Sequence, residues 1–167
     1  QAQFTTSPAC VTAYEPNETL ATAVPVSENT TVSAGINTST DIDYYKITTT
    51  ATSSIVYNLV GPSGVDFDMT IYNSAGTQIG SGAGSTATET VSLTSQAAGT
   101  YFIKVFGYNG ANSATCYTIK STATALLARV YLYTNEWEKA GIEASKIIEN
   151  SAMYTLTGLN EVFLSNS

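Results

Sequence analysis

Between residues 24 and 120 the sequence alternates short apolar segments with turn-forming residues, and this pattern constrains the fold most strongly. Residues 54–60 alternate cleanly and end at Gly61-Pro62-Ser63-Gly64, a strong turn signal. Short strands with glycine-rich turns are typical of an antiparallel sandwich or jelly roll. Residues 80–85, which are glycine and serine with one alanine, are predicted to form a flexible loop. Further strands are predicted at residues 31–36, 44–50, 67–73, 88–93, 100–107 and 115–120.

Charged side chains are scarce, at 11% of the 167 residues, and the net charge is −7. A surface made instead of Thr, Ser, Asn and Gly suits an extracellular β protein. Nucleic-acid binding needs clustered basic side chains, whereas the six basic residues here are scattered. We therefore expect no nucleic-acid partner, and the lack of an 18-residue apolar run predicts no membrane span.

The chain contains no histidine, which removes the commonest general base and the commonest transition-metal ligand. Asp66 and Asp68 are two residues apart and so share a strand face, and paired carboxylates can hydrolyse glycosides. They lie beside a Gly-Pro turn, however, which favours a structural role. We predict that the chain is not an enzyme.

The two cysteines, Cys10 and Cys116, lie far apart in the sequence and lack the spacing of a zinc knuckle or a redox pair. In a secreted chain they would form one disulfide; the alternative is two unrelated buried thiols. The first residue, Gln1, is expected to follow a removed signal peptide. Together these features predict a secreted protein, extracellular or on a bacterial cell surface.

Two carboxylates, Asp41 and Asp43, stand at the start of an aromatic strand, and a second acidic segment precedes them with Glu15, Asn17 and Glu18. One interpretation is structural: Asn17 caps a helical turn, and the two aspartates cap the entry to the strand. The other is that the two segments meet and hold a cation. The residues alone leave both open.

Four motifs in residues 12–120 make this part of the chain resemble the bacterial pre-peptidase C-terminal domain. The resemblance implies a β-sandwich of jelly-roll type, attached to secreted peptidases and other exported proteins and not itself catalytic. The motifs are Glu15-Pro16-Asn17-Glu18, Asp41-Ile42-Asp43-Tyr44-Tyr45, Asp66-Phe67-Asp68-Met69-Thr70-Ile71-Tyr72-Asn73 and Ala98-Gly99-Thr100-Tyr101-Phe102-Ile103-Lys104-Val105.

The same resemblance implies a calcium cofactor. Collagen-binding relatives hold calcium between their N-terminal Glu-Pro-Asn segment and the Asp-rich turn before the Tyr-Tyr strand. All the matching side chains carry oxygen donors, which Ca²⁺ prefers, although Glu18 stands where Asp or Asn is more common. The implied metal ligands are Glu15, Asn17, Glu18, Asp41 and Asp43.

The hydrophobic period changes near Ser121, where we place a boundary between a domain at residues 1–120 and a second part at residues 121–167. Residues 123–133 are apolar on all sides and residues 136–149 have helical spacing, which predicts a C-terminal α-helical hairpin and tail. This part resembles one helix pair of the SusD/RagB-like lipoproteins of Bacteroidetes. The motifs are Ala123-Thr124-Ala125-Leu126-Leu127-Ala128-Arg129-Val130-Tyr131-Leu132-Tyr133, Glu136-Trp137-Glu138-Lys139-Ala140 and Ala144-Ser145-Lys146-Ile147-Ile148.

The hairpin's apolar residues occupy more than one face, so we expect it to bind a protein partner or to self-associate. The main functional prediction is a secreted, non-catalytic module for extracellular binding or assembly, with a surface polysaccharide or a protein as ligand. The alternatives are a subunit of an extracellular fibre or surface layer, and a fragment of a SusD-like glycan-uptake lipoprotein. The expected partner-binding residues are Leu127, Val130, Tyr131, Trp137, Ile147 and Ile148.

Overall fold

The computed structural model describes residues 12–125, 137–139 and 142. Within these residues the chain is mainly β, as predicted. Its strands are β1 (Val24–Pro25), β2 (Thr31–Ala34), β3 (Ile42–Thr49), β4 (Ser53–Val60), β5 (Phe67–Tyr72), β6 (Gln78–Gly82), β7 (Thr88–Gln96), β8 (Gly99–Gly107) and β9 (Tyr117–Ala125).

The strands form two sheets, a five-stranded sheet of order β1-β3-β8-β5-β6 and a four-stranded sheet of order β2-β9-β4-β7. Antiparallel pairs are nested: β2 with β9, β3 with β8, β4 with β7 and β5 with β6. Nesting of this kind results when one long hairpin is rolled into two layers, which is the jelly-roll arrangement. The jelly-roll prediction is therefore confirmed, with one difference. The short strand β1 runs parallel to β3, so the larger sheet is mixed.

The core lies between the sheets and follows from the two-residue period of the strands. In β3 and β8 every second side chain points inward, and the residues between them lie on the outer face. Burying one large apolar side chain contributes about 1.5–3 kcal/mol. The largest fully buried side chains are Ile36, Tyr45, Ile47, Ile55, Tyr57, Leu59, Phe67, Met69, Ile71, Ile103, Val105 and Tyr117.

The predicted loop at residues 80–85 is wrong in its first half, because β6 extends to Gly82. The glycines there allow the backbone of β6 to approach β7 closely. A Cβ on Gly80 would lie 2.7 Å from Val91, and one on Gly82 would lie 2.9 Å from Glu89. The glycines therefore allow β6 and β7 to pack closely inside the sandwich. The prediction of a flexible loop relied on glycine content alone.

The last strand also extends further than predicted. Strand β9 continues to Ala125, so the predicted helix start at residue 123 is wrong. Thr122 and Thr124 are β-branched, while Ser121 is buried and Ala123 packs against the core, which is the alternation of a strand. The first compact unit accordingly ends at Thr124, and the second spans Ala125–Ser167.

Most of the predicted hairpin lies outside the described residues. Residues 137–139 and 142 are helical, and Trp137 and Ile142 are exposed. No helix in the described part of the chain is long and apolar enough to cross a membrane.

Candidate metal centre

The segment that carries Glu15 and Asn17 is attached to the beginning of β3. The Asn17 carbonyl oxygen accepts a hydrogen bond from the Tyr44 N–H at 2.9 Å. Strand β1 then continues this attachment in parallel, with Val24 opposite Tyr45. The two acidic segments of the sequence therefore meet at one edge of the five-stranded sheet.

Three carboxylates converge at this meeting point. Glu15, Asp41 and Asp43 each place one oxygen so that all three oxygens lie within 4.8 Å of one another. Backbone donors orient two of the groups, since Asp41 Oδ2 accepts from the Asn37 N–H at 2.8 Å and Glu15 Oε2 accepts from the Asn17 N–H at 3.2 Å. Such close approach of like charges is unfavourable unless protons or a cation neutralise them.

Asp43 is the innermost of the three carboxylates and is fully buried. Its Oδ2 accepts a hydrogen bond from the Tyr117 hydroxyl of β9 in the opposite sheet. The Tyr45 and Tyr117 hydroxyl oxygens are 2.8 Å apart, and because a hydroxyl has one hydrogen, Tyr45 donates to Tyr117. The buried Asp43 Oδ1 has no hydrogen-bond partner among the described residues. Buried polar atoms are rarely unpaired, so this oxygen is available to a ligand.

Burial is also the main cause of the raised pKa of the Asp43 carboxyl. It raises the pKa of Asp43 to about 7, against the lowering effect of the Tyr117 hydrogen bond, and the charges of Asp41 and Glu15 raise it further. Burial and the charges of Asp41 and Glu18 likewise raise the pKa of Glu15. A divalent cation at this point would reverse the effect and stabilise the ionised carboxylates.

Asn17 and Glu18, the other two predicted ligands, occupy different positions. The Asn17 side chain is fully buried, and neither of its polar atoms has a hydrogen-bond partner within the described residues. The interpretation of Asn17 as a helix cap is therefore wrong. The turn that follows is capped by Thr19, whose Oγ1 accepts from the Thr22 N–H at 3.2 Å.

Glu18 is exposed and borders an open depression of about 350 Å³ beside the carboxylates. The structure thus brings together three of the five predicted ligands, buries Asn17 close by and leaves Glu18 at the rim. The depression is lined by Thr12, Glu15, Glu18, Asn37, Thr38, Thr40 and Asp41.

Sequence reasoning missed the two tyrosines that support Asp43. A fully buried tyrosine usually has a partner for its hydroxyl. The inward positions of Tyr45 and Tyr117 on β3 and β9 were the available signal, but the pairing joins residues 74 positions apart.

Two other predicted sites fall largely outside the described residues. Cys116 is half-buried immediately before β9, but Cys10 lies outside the described part, so the disulfide stays a prediction. Trp137 is described as helical and exposed. The remaining expected partner-binding residues, Leu127, Val130, Tyr131, Ile147 and Ile148, also lie outside the described part.

A second acidic group lies around the beginning of β5, where Asp68 is paired with Phe106 of β8. Asp68 and Glu89 are buried, Asp66 is half-buried, and each has a buried oxygen that lacks a hydrogen-bond partner among the described residues. Burial, then the charges of Asp66 and Glu89, raise the pKa of Asp68. In the first group, three carboxylate oxygens lie within 4.8 Å of one another. Among the described residues, the second group has no such set of three oxygens.

Comparison with known proteins agrees with this architecture. Residues 41–107 match the family model of the bacterial pre-peptidase C-terminal domain. The solved pre-peptidase C-terminal domain of a collagenase from Bacillus anthracis aligns with 64% of this chain and 97% of its own length, at 16% identity and a TM-score of 0.53. The chain therefore has the fold of that domain.

Other comparisons carry less weight. PliG, a periplasmic inhibitor of g-type lysozyme from Aeromonas hydrophila, aligns over 60% of this chain and 95% of its own, at 16% identity and a TM-score of 0.46. No curated protein matches the chain. The family match ends at residue 107, so the predicted resemblance of residues 121–167 to SusD-like lipoproteins gains no support from it.

Proposed function

We propose that this chain is a secreted, non-catalytic β-sandwich module for extracellular binding or assembly, in which calcium fixes the N-terminal segment to the sandwich. One observation carries the proposal: three carboxylates from two segments converge within 4.8 Å around a buried aspartate oxygen that lacks a partner among the described residues.

The donor set favours calcium over other metals. Every candidate ligand offers oxygen, and Ca²⁺ takes six to eight oxygen ligands in flexible geometry. Zinc prefers sulfur and nitrogen ligands, and the chain has no histidine. Glu15, Asp41 and Asp43 would hold the ion directly, and the Asn17 amide and Glu18 could complete the shell with water.

Calcium at this place would stabilise the module as a whole. Asp43 lies on β3 and is hydrogen-bonded to Tyr117 on β9, so it links the two sheets, while Glu15 belongs to the N-terminal segment. Extracellular calcium modules typically have Kd values of about 10⁻⁴–10⁻³ M. Binding would therefore depend on the high calcium level outside cells.

Two further observations support a non-catalytic, exported module. The chain lacks histidine, and its fold is similar to that of a domain attached to a collagenase. The alternatives, a fibre subunit and a fragment of a glycan-uptake lipoprotein, depend on residues 121–167 and stay predictions.

The test is thermal melting of the full chain in chelator and in increasing calcium. At 100 times Kd, calcium adds about 2.7 kcal/mol, which should raise Tm on the order of 10 °C. We expect Asp43→Ala to abolish the shift and the milder Asp43→Asn to weaken it strongly, with Asp68→Asn as the matched control. A melting curve that is the same in chelator and in calcium would show that the carboxylates are structural only.

A further inference from the structure

The outer faces of the two sheets differ sharply in composition. The outward positions of the four-stranded sheet are mostly small or polar: Thr31, Ser33, Ser54, Val56, Asn58, Val60, Thr88, Thr90, Ser92, Thr94, Thr118, Lys120, Thr122 and Thr124. Outward positions of strands β3, β8 and β5 instead include four rings and two lysines, with Thr48 and Thr100 at the far end of β3 and β8. We call this surface the aromatic face: Ile42, Tyr44, Lys46, Phe102, Lys104, Phe106, Asp68, Thr70 and Tyr72.

The rings and cations of the aromatic face alternate in an ordered way. Lys46 is paired with Phe102 and Lys104 with Tyr44 across β3 and β8. Lys104 Nζ lies 4.5 Å from the centre of the Phe106 ring, a cation–π contact that positions the ammonium. The Tyr44 and Tyr72 rings are 6.5 Å apart. Asp68 and Thr70 are buried, whereas the rings and lysines of the face are half-buried and accessible.

The charge of this face is opposite to that of the chain. The chain carries −7, yet the aromatic face holds Lys46 and Lys104 against one carboxylate, Asp68, whose pKa is raised by burial. An open depression of about 450 Å³ adjoins Lys46 and also contains Glu28. Lys46 and Lys104, set among the rings, are therefore the groups of this face that can pair with an anion.

We propose that the aromatic face binds an acidic polysaccharide. Sugar rings would lie on Tyr44, Tyr72 and Phe102, and the sugar carboxylates would pair with Lys46 and Lys104. A group of half-buried rings on one sheet face suits a chain of pyranose units, whose apolar C–H faces pack on aromatic rings while their hydroxyls stay in water. Nucleic acid is disfavoured because its binding needs many phosphate contacts, and an acidic peptide lacks rings to stack.

The experiment is native affinity electrophoresis of the full chain, in chelator, through gels containing polygalacturonate, neutral dextran or poly-L-glutamate. Of the three polymers, we expect only polygalacturonate to retard the protein, although the polymer and the protein both carry net negative charge. Removing one paired cation should weaken binding on the order of tenfold. The double variant Lys46→Gln/Lys104→Gln should therefore migrate as it does without polymer, and Phe102→Ala should also bind more weakly.

Lys120→Gln is the matched control, because Lys120 is a half-buried lysine on the other sheet. Its retardation should equal that of the unmodified chain. No retardation in polygalacturonate, equal retardation by dextran or by poly-L-glutamate, or an equal loss in Lys120→Gln would each overturn the proposal. Because chelator is present throughout, the result does not depend on the calcium centre.

Discussion

The two acidic groups of the sandwich contain the same kinds of residue but differ in geometry. In the first, Glu15, Asp41 and Asp43 bring three oxygens within 4.8 Å of one another. In the second, Asp68 and Glu89 are buried too, but they lie on different sides of the larger sheet. Asp68 occupies the outer face of β5, whereas Glu89 points inward and lies against Gly82 and Gly84.

Convergence, rather than burial, is what distinguishes the first group, where we propose the cation, from the second. A separate buried carboxylate can take up a proton or meet water, and it then needs no cation. Three converging carboxylates repel one another as soon as the pH allows them to ionise. Backbone hydrogen bonds to Asp41 and Glu15 hold the first group together, so the fold itself maintains this repulsion.

The largest expected effect that separates the two groups is a pH dependence without calcium. The pKa of Asp43 is raised from 3.8 to about 7, so between these values the folded chain keeps a proton that the unfolded chain releases. Stability should therefore fall as pH rises from 4 to 7, by at most about 1.4 kcal/mol per pH unit for one proton. Tm measured in chelator should drop by on the order of 10 °C, and saturating calcium should remove the drop.

Asp43→Asn is the control for this dependence, because an amide cannot ionise. Its melting temperature in chelator should change much less between pH 4 and pH 7. If the unmodified chain and the variant have the same pH profile, Asp43 does not carry the effect.

The sequence predicted the parts of the molecule that depend on local pattern. The strands follow from two-residue alternation between turn residues, and Glu15, Asp41 and Asp43 were identified through a motif resemblance. Gly80 was misassigned because its role is set by Val91 on another strand. The Tyr117 contact with Asp43 was missed because alternation along a strand gives the direction of a side chain but not its partner in the opposite sheet.

A smaller effect should come from Tyr117→Phe. The variant keeps the ring and its edge contact with Phe67, whose centroid is 6.0 Å away, but loses the hydroxyl that donates to Asp43. Loss of a group that orients a metal ligand typically weakens metal binding 10–100-fold, so we expect about a tenfold rise in the calcium Kd by calorimetry. Tyr57→Phe is the matched control.

Tyr57 is also a fully buried tyrosine, and its hydroxyl has no hydrogen-bond partner within the described residues. Removing that hydroxyl should leave calcium binding unchanged and keep or slightly improve stability. Equal calcium affinities in the two variants would mean that the Tyr117 hydroxyl does not orient Asp43.

The smallest expected effect is that of Asp68→Asn in the second group. Burial, helped by Asp66 and Glu89, raises the pKa of Asp68, so the folded chain loses stability as the pH rises above the unfolded-state pKa of this group. The neutral amide removes that penalty at nearly constant volume, and urea denaturation at pH 8 should show a gain of at most about 1 kcal/mol. The gain should shrink as the pH falls and vanish well below the ordinary aspartate pKa of about 3.9, where the group is protonated in both states. The calcium-induced shift in Tm should be unchanged throughout. If Asp68→Asn reduced that shift as strongly as Asp43→Asn, the two groups would be energetically coupled, and convergence of three carboxylates would no longer be enough to explain where the cation binds.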